Sequence, residues 1–291
     1  GEAPASPLLD FIRRKTVKQW KIAVSSADAA PLTAPILMIG DVASNLKKAG
    51  ALGFQAIEVH TREDVELDYD GIAKAAAESG CKVGMVITGR LNTEGKCDLM
   101  SDIPYITKAA VDGMKQYVDM AEKLGAEGLV IGWVKGNVPA GGDRAKYMAR
   151  LARNFKIIND YAKAKNVKLN IEVINRYEVN VFTTAEETMS FLEAHPELDN
   201  CYAHLDTFHM NIDECDPVAA IRRCKGRLGY FHLADNSRWY PGSGQLDFKA
   251  QFEALEEIGY DGYLSIECLP RPTHEEAAAK GIAYVKKILE G

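Results

Sequence analysis

The sequence predicts an α/β fold, a single (β/α)8 TIM barrel with a short N-terminal extension. Three observations carry that expectation. The chain has 291 residues, and barrels of eight parallel strands typically take about 250 residues as one domain. Short apolar, β-branched runs alternate with longer amphipathic stretches, the rhythm of βαβ units. Eight such runs occur, and no long linker or low-complexity segment separates them.

In chain order the predicted strands are KIAVSS from Lys21, QAIEVH ending at His60, KVGMVIT ending at Thr88 and EGLVIGW ending at Trp133. Then come VKLNIEVI ending at Ile174, CYAHLDTF from Cys201, RLGYFHLAD ending at Asp235 and DGYLSIECL ending at Leu269. Helical patterns lie between them. Val42, Leu46 and Ala49 share one face of a helix from about Asp41 to Lys48, with Gly50 and Gly53 as its stop. Val111, Met114, Val118 and Ala121 fall at helical spacing after Asp102 and Pro104, and Gly125 ends that pattern. Met148, Leu151, Phe155 and Ile158 define a helix over 144–165, and a last one runs from Glu275 to Leu289. Residues 1–19 read as an extension with a short helix at Leu8 to Arg14, and 20–291 as the barrel. The chain opens GEAPASP without Met, an expression remnant or the stub of a removed targeting segment; without a secretory signal it reads as cytoplasmic.

Composition narrows the function classes. Apolar residues make up 47% of the chain, enough for a large core. A net charge of −6 offers no footprint for a nucleic-acid backbone, so no nucleic-acid partner is expected. No run approaches the roughly 20 apolar residues of a membrane helix, so no membrane partner is expected either. The six cysteines include no C-x-x-C and are scattered, which reads as reduced thiols rather than a disulfide framework.

The active site of such a barrel sits at the C-terminal ends of its strands. There the fifth run carries Glu172, followed by Asn175, Arg176 and Glu178; the sixth carries Asp206, with His209 after it. The seventh carries His232 and Asp235, with Arg238 and PGSG after it, and the eighth carries Glu267. Glu172, Asp206, His232 and Glu267 therefore stand on four consecutive strands, each about one βα unit of roughly 30 residues from the next. Taken singly, a Glu at a strand end is a solvated loop residue, and a His in GYFHLAD is a hydrogen-bonded core residue. Together they would bury three carboxylates and an imidazole at one point, which is costly without a cation. The set predicts one divalent metal ion. Its mostly oxygen donors suit Mn2+, with Mg2+ or Co2+ as alternatives. His60 and Trp133 are candidates to line the pocket, although packing explains them nearly as well. Arg176, Glu178 and Arg238 are open to reading as salt-bridge partners. His195, His204 and His274 read as structural or exposed, and Asp213, Glu214 and Asp216 as a solvated charge run.

From Lys168 to Leu269 the chain resembles the xylose isomerase-like barrels, in the ketose 3-epimerase branch typified by D-tagatose and D-psicose 3-epimerases. IEVINRYE, HLDTFHMNIDE, FHLADNSRWYPGSG and YLSIECLP carry the resemblance. It implies that Glu172 and Glu267 are both metal ligands and catalytic acid/bases, and that Asp206 and His232 complete the ligand set. It implies substrate contacts from Glu178, His209 and Arg238. The expected reaction moves a proton at the carbon beside a ketose carbonyl, through an enediolate. The alternatives on the same site are aldose–ketose isomerisation, inosose-type dehydration and keto-glycoside lysis. An apurinic endonuclease is disfavoured by six histidines and negative charge, and a non-catalytic sugar-binding barrel remains the bland alternative. The expected partner is a small sugar or sugar phosphate; PGSG is too short a signal to decide on phosphate. Relatives suggest a homodimer or homotetramer.

Overall fold

The computed structural model describes residues 18–290. The helix expected over Leu8 to Arg14 lies outside them.

All strands pair in parallel. Strands β1 (Lys21–Ala27), β3 (Ala56–His60), β4 (Lys82–Ile87), β5 (Gly128–Ile131), β6 (Lys168–Glu172), β7 (Cys201–Asp206), β8 (Leu228–Leu233) and β9 (Tyr263–Ile266) follow one another around a sheet that closes through β1 on β9. This is the expected eight-stranded barrel. A two-residue strand, β2 (Met38–Ile39), adds to β1 at Ser26 and Ala27, above the point where its pairing with β9 stops. Two residues carry no periodicity, so the sequence does not announce it. The later strands end two or three residues before the apolar runs do, because the chain turns into buried loops at the barrel's mouth.

The helices are α1 (Val42–Leu52), α2 (Tyr69–Ser79), α3 (Gly89–Thr93), α4 (Pro104–Leu124), α5 (Arg144–Ala164), α6 (Ala185–Ala194), α7 (Thr207–Asp213), α8 (Pro217–Arg223), α9 (Phe248–Glu257) and α10 (His274–Glu290). The long helices form the outer layer, and the short α3 and α7 lie at the barrel's mouth. Asp41 caps α1 by accepting from the Ser44 amide at 2.9 Å, and Gly53 closes it at φ 86°. Gly50 was expected to stop this helix but lies inside it. A Cβ there would stand 2.6 Å from the Ser79 carbonyl oxygen, so this glycine allows α1 to approach the end of α2. The main core lies between barrel and helices. A smaller cluster of Ala23, Ala56, Met85, Ile87, Val130, Tyr230 and Tyr263 fills the barrel itself.

Two register shifts decide which side chains enter the barrel. β3 and β4 slip between Ile57 and Glu58, and β7 and β8 slip between Ala203 and His204, so Gly84 and Gly229 are left unpaired. Such bulges re-aim the side chains beyond them. Leu228 faces the outer layer, yet Tyr230 and His232 both point into the barrel. No helix among the described residues is long and apolar enough to cross a membrane.

Candidate active site

The four predicted ligands converge. Glu172 ends β6, Asp206 ends β7, His232 lies one residue before the end of β8, and Glu267 follows β9 directly. One ligand atom of each lies within 4.8 Å of the others, and all four residues are buried. The strand expected to run to Phe208 instead stops at Asp206, whose carboxylate accepts from the Phe208 amide at 2.7 Å and caps α7. Thr207 Oγ1 then donates to the Ala234 carbonyl at 2.5 Å and accepts from the Ala234 amide at 2.9 Å, tying the mouth of β7 to that of β8.

His232 Nδ1 is buried without a hydrogen-bond partner. It faces Glu267 Oε2 at 3.5 Å and Asp206 Oδ2 at 3.8 Å. An orphaned imidazole nitrogen among three buried carboxylates is a donor set that fits a divalent cation, whose charge would offset their mutual repulsion. Its oxygen-rich character favours a hard ion over a thiolate-seeking one.

A cavity of about 400 Å3 opens above this cluster. Glu172, Glu178, His209, Arg238, Glu267, His60 and Trp133, all named from the sequence, line it. Arg238 is held at φ 59°, an uncommon backbone conformation for a non-glycine residue. It donates to Glu267 Oε2 at 2.5 Å and lies 3.5 Å from Asp206 Oδ2, with its guanidinium 4.7 Å from the centre of the Phe208 ring. His209 Nδ1 lies 2.8 Å from Asn175 Nδ2, which also donates to Glu178 Oε1 at 2.9 Å; His209 Nε2 faces Glu172 Oε1 at 3.7 Å. One amide thus aligns a histidine and a carboxylate on the cavity wall.

Burial, and then the charge of Glu267, push the Glu172 carboxyl up to about 8. Glu267 is also buried, but His232 and Arg238 hold its carboxyl below the ordinary value. Against the same burial, Arg238 and His209 hold Asp206 far below the carboxylate range. Burial lowers His209 to about 4, so its imidazole is neutral near pH 7. His232 is raised well above 6.5, because Glu58 and Glu267 outweigh its burial.

Two residues at the site, Glu58 and Lys135, escaped the sequence reading, whereas His204 and His195 fit their reading as structural or exposed. Glu58 is wholly buried and lies 2.8 Å from His232 Nε2. Its signal was available: it is the one charged residue in the run AIEV, two residues before His60 on the same strand face. Lys135 is fully buried and donates to the carbonyls of Gly132 and Glu172 at 3.1 Å each, and burial lowers its amine to about 8. His204 lies one layer deeper than Asp206, its ring 4.1 Å from that of His232, with neither nitrogen hydrogen-bonded. His195 pairs with Glu197 at 3.0 Å at the end of α6.

The acidic run around Cys215 is solvated only in part: Asp216 is exposed, whereas Asp213 and Glu214 are half-buried. Asp213 accepts from the Arg176 amide at 2.7 Å and its Nη1 at 2.8 Å. Glu214 accepts from the Ala185 amide at 2.6 Å, and Asp216 caps α8. The Gly242 and Gly244 amides of PGSG both donate to Asp235 Oδ2, at 3.0 and 2.8 Å. All six cysteines are free, and only Cys215 is exposed.

Residues 46–288 match the family model of the xylose isomerase-like TIM barrel. An L-ribulose 3-epimerase of Mesorhizobium japonicum is 33% identical over 81% of this chain and 78% of its own. A ketose 3-epimerase of Arthrobacter globiformis is 31% identical over 77% of this chain and 76% of its own. A solved L-ribulose 3-epimerase structure superposes with a TM-score of 0.79 at 26% identity, covering 94% of this chain and 95% of that one.

Proposed function

The chain belongs to the xylose isomerase-like TIM barrel family, and from that premise we propose that it is a metal-dependent ketose 3-epimerase. The observation that carries the proposal is the pair Glu172 and Glu267. They project from β6 and from the end of β9 into one cavity, and both belong to the buried cluster that could hold the ion. Two carboxyl groups that reach one cavity from different strands suit an acid and a base at one site.

Glu172, Asp206, His232 and Glu267 would hold the ion, with Mn2+ favoured by the donor set and Mg2+ or Co2+ as alternatives. A divalent ion there would supply Lewis acidity toward the negative charge that develops on the substrate's oxygens. The protein's own groups do the rest. A proton on the carbon beside a ketone is weakly acidic, and removing it needs a base in contact with it. Glu267, held ionised, takes the C3 proton from one face of the sugar. Glu172, protonated at that stage of the cycle, delivers a proton to C3 from the other face, and the configuration at C3 inverts. Neutral His209 and cationic Arg238 orient the carbonyl-side oxygens, and Glu178, aligned through Asn175, accepts from a hydroxyl. His60 and Trp133 complete the wall.

The cavity favours a free ketose over a phosphorylated one. Arg90, the other arginine on the cavity wall, is engaged by Asp28 at 2.7 Å and Glu94 at 3.4 Å. The glycine amides that could cradle a phosphate already serve Asp235.

The test is solvent exchange followed by proton NMR in D2O with Mg2+, over a panel of ketoses and their phosphates. Deuterium at C3 of substrate and epimer supports the proposal. An aldose product or loss of a hydroxyl assigns the same site to isomerisation or dehydration. Glu172→Gln and Glu267→Gln are each expected to lose about 10²- to 10⁴-fold in turnover, the usual worth of an acid/base group. Normal turnover in either variant rules out the two-carboxylate scheme.

A further inference from the structure

We propose that Glu58 is a positioning residue: its carboxylate sets which nitrogen of His232 faces the metal position by holding the Nε2 hydrogen on the side away from it. The inference rests on the metal-dependent reading above, but not on any particular substrate.

Glu58 stands in the middle of β3, across the barrel from β6 and β7, with no exposed surface. Three donors from two other strands converge on its Oε2. Tyr230 Oη lies at 2.9 Å, His232 Nε2 at 2.8 Å and Ser265 Oγ at 2.8 Å. A carboxylate in this state only accepts hydrogen bonds. Tyrosine and serine hydroxyls can turn to donate to it, whereas the imidazole can satisfy the contact only by keeping a hydrogen on Nε2. In the neutral ring the lone pair then lies on Nδ1, the nitrogen that faces Asp206 and Glu267 and has no partner. A buried carboxylate behind a ligating histidine fixes tautomer and ring orientation and raises ligand basicity.

The surroundings reinforce the role. The bulge at Gly229 turns Tyr230 and His232 inward together, so one distortion of β8 delivers two of the three donors. The other oxygen, Oε1, lies 3.4 Å from His60 Nε2, which in turn lies 3.7 Å from Glu267 Oε1. Glu58 therefore braces one imidazole behind the ligand cluster and another beside Glu267.

The rival role is a purely structural stitch between β3, β8 and β9. It predicts changes in stability alone. The experiment is calorimetric titration of the whole protein with Mn2+, wild type against Glu58→Gln, with the metal-free melting temperatures measured alongside. Positioning predicts about 10- to 100-fold weaker Mn2+ binding in the variant, with folded metal-free protein by circular dichroism. Tyr230→Phe and Ser265→Ala each remove one donor to Oε2 without touching a ligand, and smaller losses of affinity are expected; they also serve if Glu58→Gln does not fold. Long-range proton–nitrogen correlation of Mg2+-loaded, 15N-histidine protein should show the His232 proton on Nε2. Wild-type Mn2+ affinity in the folded variants, or a proton on Nδ1, overturns the role of Glu58 while leaving the epimerase reading intact. A wild-type protein that binds no Mn2+ overturns both.

Discussion

Asp206 does two jobs with one carboxylate, and a single substitution separates them. Its side chain caps α7 through the Phe208 amide and also faces the ligand cluster. Asparagine caps a helix about as well as aspartate, but it is a neutral and weaker ligand. Asp206→Asn is therefore expected to keep the α7 cap, but with a lower metal-free melting temperature, because Arg238 and His232 lose a buried counter-charge. Its Mn2+ affinity should fall by more than the roughly 10- to 100-fold that losing an outer partner costs. Calorimetric titration and a metal-free melt, taken together, check both halves. At this scale much was legible. Glu172, Asp206, His232 and Glu267 were readable because three carboxylates and a histidine at strand ends recur at the interval of one βα unit. Glu58 was not, because a lone acid in an apolar strand announces burial without naming its partner, and that partner lies 174 residues away in the chain.

At the scale of the element, the bulge at Gly229 does what alternation alone cannot. An undistorted β8 that put Leu228 outward would put Tyr230 and His232 outward as well. The unpaired Gly229 shifts the register so that both enter the barrel. A Cβ at Gly229 would stand 2.1 Å from Asn170 Oδ1 and 2.7 Å from Tyr202 Cβ. Gly229→Ala should therefore cost about 1–3 kcal/mol, in the range of overpacked cores, and lower the melting temperature by several degrees. An unchanged melting temperature would mean that the neighbours yield freely and that the bulge does not depend on glycine. The sequence located eight strands and the long helices from apolar periodicity. It misplaced their C-terminal ends, because the buried loops at the barrel mouth are as apolar as the strands that feed them. Periodicity also missed the reason for Gly50, which lies in a helix–helix contact rather than in a helix stop.

For the whole molecule, the buried carboxylates couple folding, protons and metal. In the metal-free protein Glu172 is raised to about 8 and His232 well above 6.5. A group raised on folding favours the folded state below its unfolded value and loses that contribution as pH rises toward its folded one. His209, lowered to about 4, and His204, lowered well below 6.5, oppose this by about half a proton each at pH 6.5, and Lys135, lowered to about 8, by about half a proton at pH 8, so the raised pair outweighs them. From pH 6.5 to 8 the metal-free protein should therefore lose stability. A bound divalent ion replaces those protons, so its affinity should rise over the same window. The melting temperature with Mg2+ minus that with EDTA should widen from pH 6.5 to 8, and at an ion concentration of about 100 Kd the gain is about 2.7 kcal/mol. A constant difference would place the titrating groups elsewhere than in the ligand cluster.

The sequence by itself determined the barrel and its rhythm, the strand ends that carry chemistry, the four candidate ligands and the family. The barrel, the strand ends and the candidate ligands follow from local period, spacing and residue type, and the family from the resemblance that motifs such as IEVINRYE and HLDTFHMNIDE carry; all are properties of the chain in one dimension. The tertiary structure alone decided which histidine nitrogen faces the cluster and that Glu58 stands behind it. It also showed that the PGSG amides are already engaged by Asp235 and that Asp213 and Glu214, beside Cys215, are braces rather than part of a solvated face. Each of these depends on the closure of a parallel sheet, which brings strands far apart in sequence within hydrogen-bonding distance, and on a one-residue bulge that decides which side of the sheet a side chain occupies.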